Sequence, residues 1–167
     1  MSNGRTKYLW IGMILIHFFF LLYQGYEGRY FLVDSEDYIQ ASKNLWENQS
    51  LYAADMEQGG LYAGNYSRRP PLYPIFLLPA QVLGESWLIS ILLQNLCSLL
   101  AFGLFLKIYQ LLYPDKELSF LFVIFLFLYP AQFIYANLIM SESLFQLLLN
   151  TFPERIEPGR ECPLFFP

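Results

Sequence analysis

Residues 73–84, YPIFLLPAQVLG, decide how this chain is folded. The run is apolar, but twelve residues are too few for a helix to cross the roughly 30 Å of a bilayer's hydrocarbon core. Pro79 interrupts it as well. A run that crossed would put the segments before and after it on opposite sides of a membrane. A run that stays at the boundary leaves them on one side. The length predicts an interfacial or re-entrant helix.

The surroundings make a membrane the relevant medium. Of 167 residues, 56% are hydrophobic, 19% aromatic and only 14% charged. Soluble domains carry about 25% charged residues. The apolar residues fall in long runs with few charges, the pattern of transmembrane helices. The predicted spans are about 8–24, 87–108 and 118–135, with a partial fourth at 143–150. The fold class is therefore all-α: a polytopic membrane helix bundle whose outer loop carries interfacial helices.

Arg5 and Lys7 precede the first span with no acid nearby, which places the N-terminus in the cytoplasm. No small-x-small cleavage site follows that span, so it reads as a retained helix rather than a signal peptide. His17, mid-span, reads as a neutral imidazole bonded to a neighbouring helix, against a proton or ligand site as the sharper alternative. Gln94 and Asn95, midway along the second span, are expected to bond to adjacent helices. A net charge of −4 without a basic block gives nucleic-acid binding no support. Cys97 and Cys162 make neither a disulfide framework nor a zinc site.

The outer loop, residues 25–71, holds seven acids. Within it, Tyr38, Ala41, Ser42, Leu45 and Trp46 recur at helical spacing, which predicts a helix with an aromatic stripe along the membrane surface. Asp34 is placed to cap that helix, with Asp37 closing a capping box. From Thr151 onward, TFPERIEPGRECPLFFP has four prolines and no apolar period. Residues 151–167 read as an irregular tail, the mark of a truncated or frame-shifted product or a fragment.

With the short run at the boundary, the 25–71 loop and the 136–143 loop share the outer face. Asp34 and Glu142 then approach one site. The order DSEDY (34–38), RRPPLYPIFLLPAQVLG (68–84) and YPAQFIYANLIMSESLFQLLL (129–149) resembles the N-terminal part of GT-C-type glycosyltransferases. The branch is the one that holds dolichyl-phosphate-mannose protein mannosyltransferases and bacterial lipid A aminoarabinose transferases. The resemblance covers about residues 8–150.

That resemblance implies transfer of a sugar from a polyprenyl phosphate carrier to an acceptor hydroxyl on the extracytoplasmic face, with inversion at the anomeric carbon. The acceptor is a lipid, a glycan or a protein, and the setting is a bacterial inner membrane. By matching position the catalytic base is Asp34, with Glu36 and Asp37 as rivals that also line the substrate site. Glu142 orients acceptor or donor. Arg68 and Arg69, with Tyr73 beside them, meet the carrier phosphate through forked bonds. No cofactor is implied beyond the lipid-linked sugar, and a divalent cation is not expected, since DSED lacks the spacing of a calcium loop.

Plainer readings compete. Asp34 caps a helix; Glu142 complements a helix dipole, worth about 0.3–1 kcal/mol; the arginines touch headgroups, against the usual charge bias of an outer face. The rival functions are a non-enzymatic multi-pass subunit and an inert truncated product.

Overall fold

The computed structural model describes residues 3–56, 61–66, 69–84, 86–113 and 120–151. The fold is all-helical, with no strand among the described residues. The first apolar run is α1 (Asn3–Glu27) and the acidic stretch opens α2 (Val33–Asn48). The short apolar run is α3 (Leu72–Val82), and the second long run is α4 (Trp87–Leu112). Three shorter helices follow: α5 (Phe120–Leu128), α6 (Pro130–Ala136) and α7 (Glu142–Thr151). Two helices are long and apolar enough to cross a membrane, Lys7–Glu27 and Trp87–Leu112.

The spine is α4, whose 26 residues reach about 39 Å. Helix α1 runs antiparallel to it, since Trp10 meets Phe102 edge-on and His17 meets Ser98. Helix α7 runs parallel to it, with Leu144 in one cluster with Ile91 and Asn150 donating to Ala101 O. Helix α3 doubles back along the first turns of α4. Tyr73 reaches Gln94, Leu77 packs with Ile91, and Gly84 at φ 76° makes the turn between them. Helix α2 packs on α3 through Tyr38 and Tyr73.

Two apolar clusters result. One joins Leu9, Met13, Phe102, Leu106 and Phe133 at the bundle's α1 start. Gly12 lets the Phe127 ring approach closely there, since a Cβ would stand 2.9 Å from it and push it aside. The other joins Tyr38, Tyr73, Leu77, Ile91 and Ile139 at the opposite end.

The long helices turn polar side chains inward and apolar ones outward. On α4, Ser90, Gln94, Asn95 and Ser98 are buried while Leu88, Leu92, Leu96 and Leu100 are exposed. On α1, His17 and Gln24 are buried while Ile14, Leu15, Phe18, Phe19 and Leu22 are exposed. A helix facing water shows the reverse.

His17, Gln94 and Asn95, buried on the long helices, each find partners suited to their chemistry. The Met13 carbonyl can only accept, so His17 Nδ1 carries the proton and donates to it at 2.9 Å. His17 Nε2 then accepts from Ser98 Oγ at 3.0 Å, and Ser98 Oγ accepts from Gln132 Nε2. The ring is a neutral bridge between α1 and α4. Gln94, fully buried, accepts from the Tyr73 hydroxyl and donates to Leu138 O at 2.7 Å and Met140 O at 3.1 Å. Asn95 donates to Ala136 O and Asn137 Oδ1. Together these two amides hold the α6–α7 connection against α4.

Three expectations change. The third span is not one helix over 118–135: α5 ends at Leu128, Tyr129 is the N-cap of α6, and Pro130 begins it. Proline has no N–H to continue a helix and fits its first turn. The stripe of α2 is partly covered by protein: Tyr38, Ala41 and Ser42 are buried and α2 packs on α3, while Trp46 stays exposed. Asp34 is not the cap: Leu32 is, and its N–H donates to Ser35 Oγ at 2.8 Å. The tail beyond Thr151 lies outside the described residues.

Gln94→Leu keeps the volume and strands the Tyr73 hydroxyl and two carbonyls. It should cost about 1–3 kcal/mol, read as a lowered midpoint for thermal unfolding in detergent; an unchanged midpoint would remove Gln94 from its central place.

Candidate functional site

The site lies where the α1–α2 connection meets the α6–α7 connection. Ile139 fastens them. Its N–H donates to Tyr30 O at 2.9 Å, and its carbonyl accepts from Ser35 Oγ at 2.8 Å. Ser35 Oγ thereby serves as acceptor for the Leu32 N–H and donor to Ile139, which uses its hydroxyl in both directions. Tyr38 adds a hydrogen bond of 3.2 Å between its hydroxyl and Ser141 Oγ. The loop containing Asp34 and the segment leading to Glu142 are thus on one end of the molecule.

Asp34 and Asp37 lie three residues apart on the first turns of α2, so they share a face. Arg69 pairs with both. Its Nη2 donates to Asp34 Oδ1, its Nε donates to Asp37 Oδ2 at 3.1 Å, and Nη2 stands 3.0 Å from the same Asp37 oxygen. The guanidinium lies over the Tyr38 ring, 5.4 Å from its centroid, a cation–π arrangement. Burial alone would lower the Arg69 pKa, but the hydrogen bonds and charges of Asp34 and Asp37 outweigh it and hold it above its usual value. Asp34 is the open member of the trio: its side chain is 46% exposed, against 15% for Asp37 and 23% for Arg69.

Beneath this trio the Tyr38 ring stands edge-on to Tyr73, with centroids 4.8 Å apart. Tyr73, expected beside the carrier phosphate, lies inside the bundle. It is buried, and its hydroxyl is committed to Gln94. Burial first, then the negative charge of Glu142, pushes that hydroxyl far above its ordinary pKa, so it stays a donor. Glu142 opens α7, and its Oε2 is buried without a hydrogen-bond partner among the described residues. Glu36 is exposed and lines an open cavity of about 420 Å³ with Asp37, Gln40 and Asp55. Arg68 lies outside the described residues. Among the described residues no group of three or more His, Cys, Asp or Glu is arranged to hold a metal ion.

The structure therefore brings Asp34, Asp37 and Arg69 together and sets Glu142 behind the adjoining tyrosines. Sequence reading missed Ser35, Tyr38 and Ser141 as the residues that position them. Tyr38 carried a signal, lying four residues after Asp34 and therefore on its helix face. Ser35 carried one too, as a hydroxyl at the third helical position. Nothing local marks Ser141.

No protein family, no characterised protein and no solved structure matches the chain.

Ser35→Ala leaves the Leu32 N–H and the Ile139 carbonyl without their shared partner. The expected result is a loss of about 1–2 kcal/mol, with faster amide exchange confined to the start of α2 and residues 137–141. Exchange unchanged in the second segment would show that Ser35 does not tie the two together.

Proposed function

We propose that the chain is a membrane glycosyltransferase, or the N-terminal part of one, that moves a sugar from a polyprenyl phosphate to an acceptor hydroxyl on the extracytoplasmic face. The observation that carries this reading is the pairing of Arg69 with Asp34 and Asp37 at the same end of the bundle as Glu142. It joins a cation suited to phosphate with a carboxylate suited to an alcohol's proton. The order of motifs similar to GT-C-type enzymes supports the same reading.

A bilayer is favoured by the inside-out pattern of α1 and α4. Only 22% and 39% of their apolar windows are buried, whereas a helix in a soluble core is mostly covered. Leucine and phenylalanine in those positions suit lipid, and the inward amides suit helix–helix bonding. Arg5 and Lys7 at the start of α1 favour a cytoplasmic N-terminus, which assigns the α2–α3 end to the outer side. Helix α3 then dips beside α4 as a re-entrant element, its backbone groups bonded within the helix as a bilayer requires.

In this reading the donor's phosphate meets the forked guanidinium of Arg69, which suits planar oxyanions. Asp34 takes the proton from the acceptor hydroxyl as its oxygen bonds to the anomeric carbon. The bond from that carbon to the phosphate oxygen breaks, and the electron pair leaves with the carrier phosphate. Arg69 stabilises the charge developing there. The unpartnered Oε2 of Glu142 accepts from a sugar or acceptor hydroxyl and orients it. Asp37 holds Arg69 in place, and Glu36 lines the approach.

Asp34→Asn in the full chain should reduce transfer from a radiolabelled polyprenyl-phosphate sugar by about 10²–10⁴-fold, with membrane insertion unchanged. Transfer at the wild-type rate would sink the base assignment. Absence of transfer by the wild-type chain across polyprenyl-phosphate donors would instead assign the ion pair to a structural subunit. Asp34→Cys and Glu142→Cys should be labelled by an impermeant thiol reagent from one side only, the extracytoplasmic one. Labelling from opposite sides would dissolve the common site.

A further inference from the structure

We infer that Arg69 is a latch on Asp34, released by a phosphoryl group: the carboxylate becomes free to act only after an anion has taken its place on the guanidinium. The consequence for catalysis rests on the transferase reading above; the binding event does not.

Arg69 is held by two carboxylates at once, so the trio carries a net negative charge. A phosphoryl oxygen cannot simply be added to it, because it would meet two like charges at contact distance. One acid must give way. The exposures select which. Asp34 is 46% exposed, so water can solvate its carboxylate when the guanidinium leaves. Asp37 is 15% exposed, so water can replace the guanidinium there far less well than at Asp34. Asp37 also holds the Nε edge of Arg69, while Asp34 is bound through Nη2. The exchange therefore replaces Asp34 and leaves Asp37 as the anchor.

The guanidinium offers a place for the exchange to begin. Its Nη1 makes no hydrogen bond among the described residues, so an incoming oxygen can bind there before the Nη2 bond to Asp34 is given up. The Tyr38 ring beneath keeps the guanidinium plane in position during the exchange. Tyr38 is itself braced by Ser141 and Tyr73. The released Asp34 oxygen is left beside the bound phosphoryl group with its lone pairs open. Without donor, Asp34 Oδ1 is occupied by the guanidinium and is not available to an acceptor alcohol's proton. The device orders the two substrates, donor before acceptor.

The test is phosphate binding by the full chain in nanodiscs of zwitterionic lipid, with a short-chain isoprenyl monophosphate, the corresponding isoprenyl alcohol and inorganic phosphate as probes. The isoprenyl phosphate should bind and the alcohol should not. Arg69→Ala should weaken binding by about tenfold or more, the scale of a charge-assisted hydrogen bond. Asp34→Asn removes the competitor and should tighten binding by about two- to fivefold; Asp37→Asn removes the anchor and should tighten it less or weaken it. Binding of inorganic phosphate with the same pattern extends the latch to any phosphoryl group; binding of the isoprenyl phosphate alone restricts it to the lipid carrier. No phosphate-dependent binding to the wild-type chain overturns the proposal, as does equal tightening by the two asparagine variants, which is a plain charge effect. Circular dichroism of each variant checks the fold, and Arg69→Lys, expected to retain partial binding, separates loss of charge from loss of structure. Correct binding signs without detectable transfer keep the latch and reject the transferase. Transfer that needs Asp34 while phosphate affinity ignores it does the opposite.

Discussion

A single buried amide organises the molecule. Gln94 sits in the middle of an apolar helix, where an unpartnered amide is expensive. It has to find a donor and acceptors, and it finds them on two other elements: the Tyr73 hydroxyl of α3, which donates, and the carbonyls of residues 138 and 140, which accept. Those three bonds determine the rest of the end where α2 and α3 meet. They draw α3 back along α4 and hold the α6–α7 connection against the same face. With both in place, Ile139 can reach Tyr30 and Ser35, and Tyr38 can reach Ser141. The apolar contacts fill the space, but they are tolerant of direction; the amide is not.

The ion trio depends on that frame in turn. Arg69 arrives just ahead of two prolines, which leave its backbone few conformations, so its position follows from where α3 begins. Asp34 and Asp37 arrive on α2, whose start is set by Leu32 and Ser35. Because α2 packs on α3 through Tyr38, two of the acids on its first turns come within reach of Arg69. Tyr38 takes part in both roles, packing downward on Tyr73 and supporting the guanidinium above.

What could be read in the sequence was what depends on length and local chemistry. The two long apolar helices, the short one between them and the inward bonding of His17, Gln94 and Asn95 all follow from run lengths and from what polar groups need. The break at Tyr129 was harder, since Pro130 sits inside an unbroken apolar run whose composition hides a missing N–H. The cap of α2 was misplaced because an aspartate is the better capping residue by type, while the structure uses backbone at Leu32 and the Ser35 hydroxyl. The Arg69 pairs join residues 32 and 35 positions apart, and no local pattern records such a distance. The packing of α2's stripe on α3 was hidden for a related reason: a stripe shows that a face is apolar, and its partner is decided by tertiary packing.

The double bond at Ile139 also has a bearing on how the molecule comes into being. Ser35 waits for a carbonyl 104 residues further along the chain. During synthesis from the N-terminus, α1 to α4 exist for some seconds before that carbonyl emerges, at about 5–20 residues per second. Until then the acidic turn has no lid and the loop that carries it is held at one edge only. That end can thus close only after residue 139 has emerged, and a ribosome that stalls before it leaves behind a chain whose first helices can pack but whose charged trio has no fixed wall.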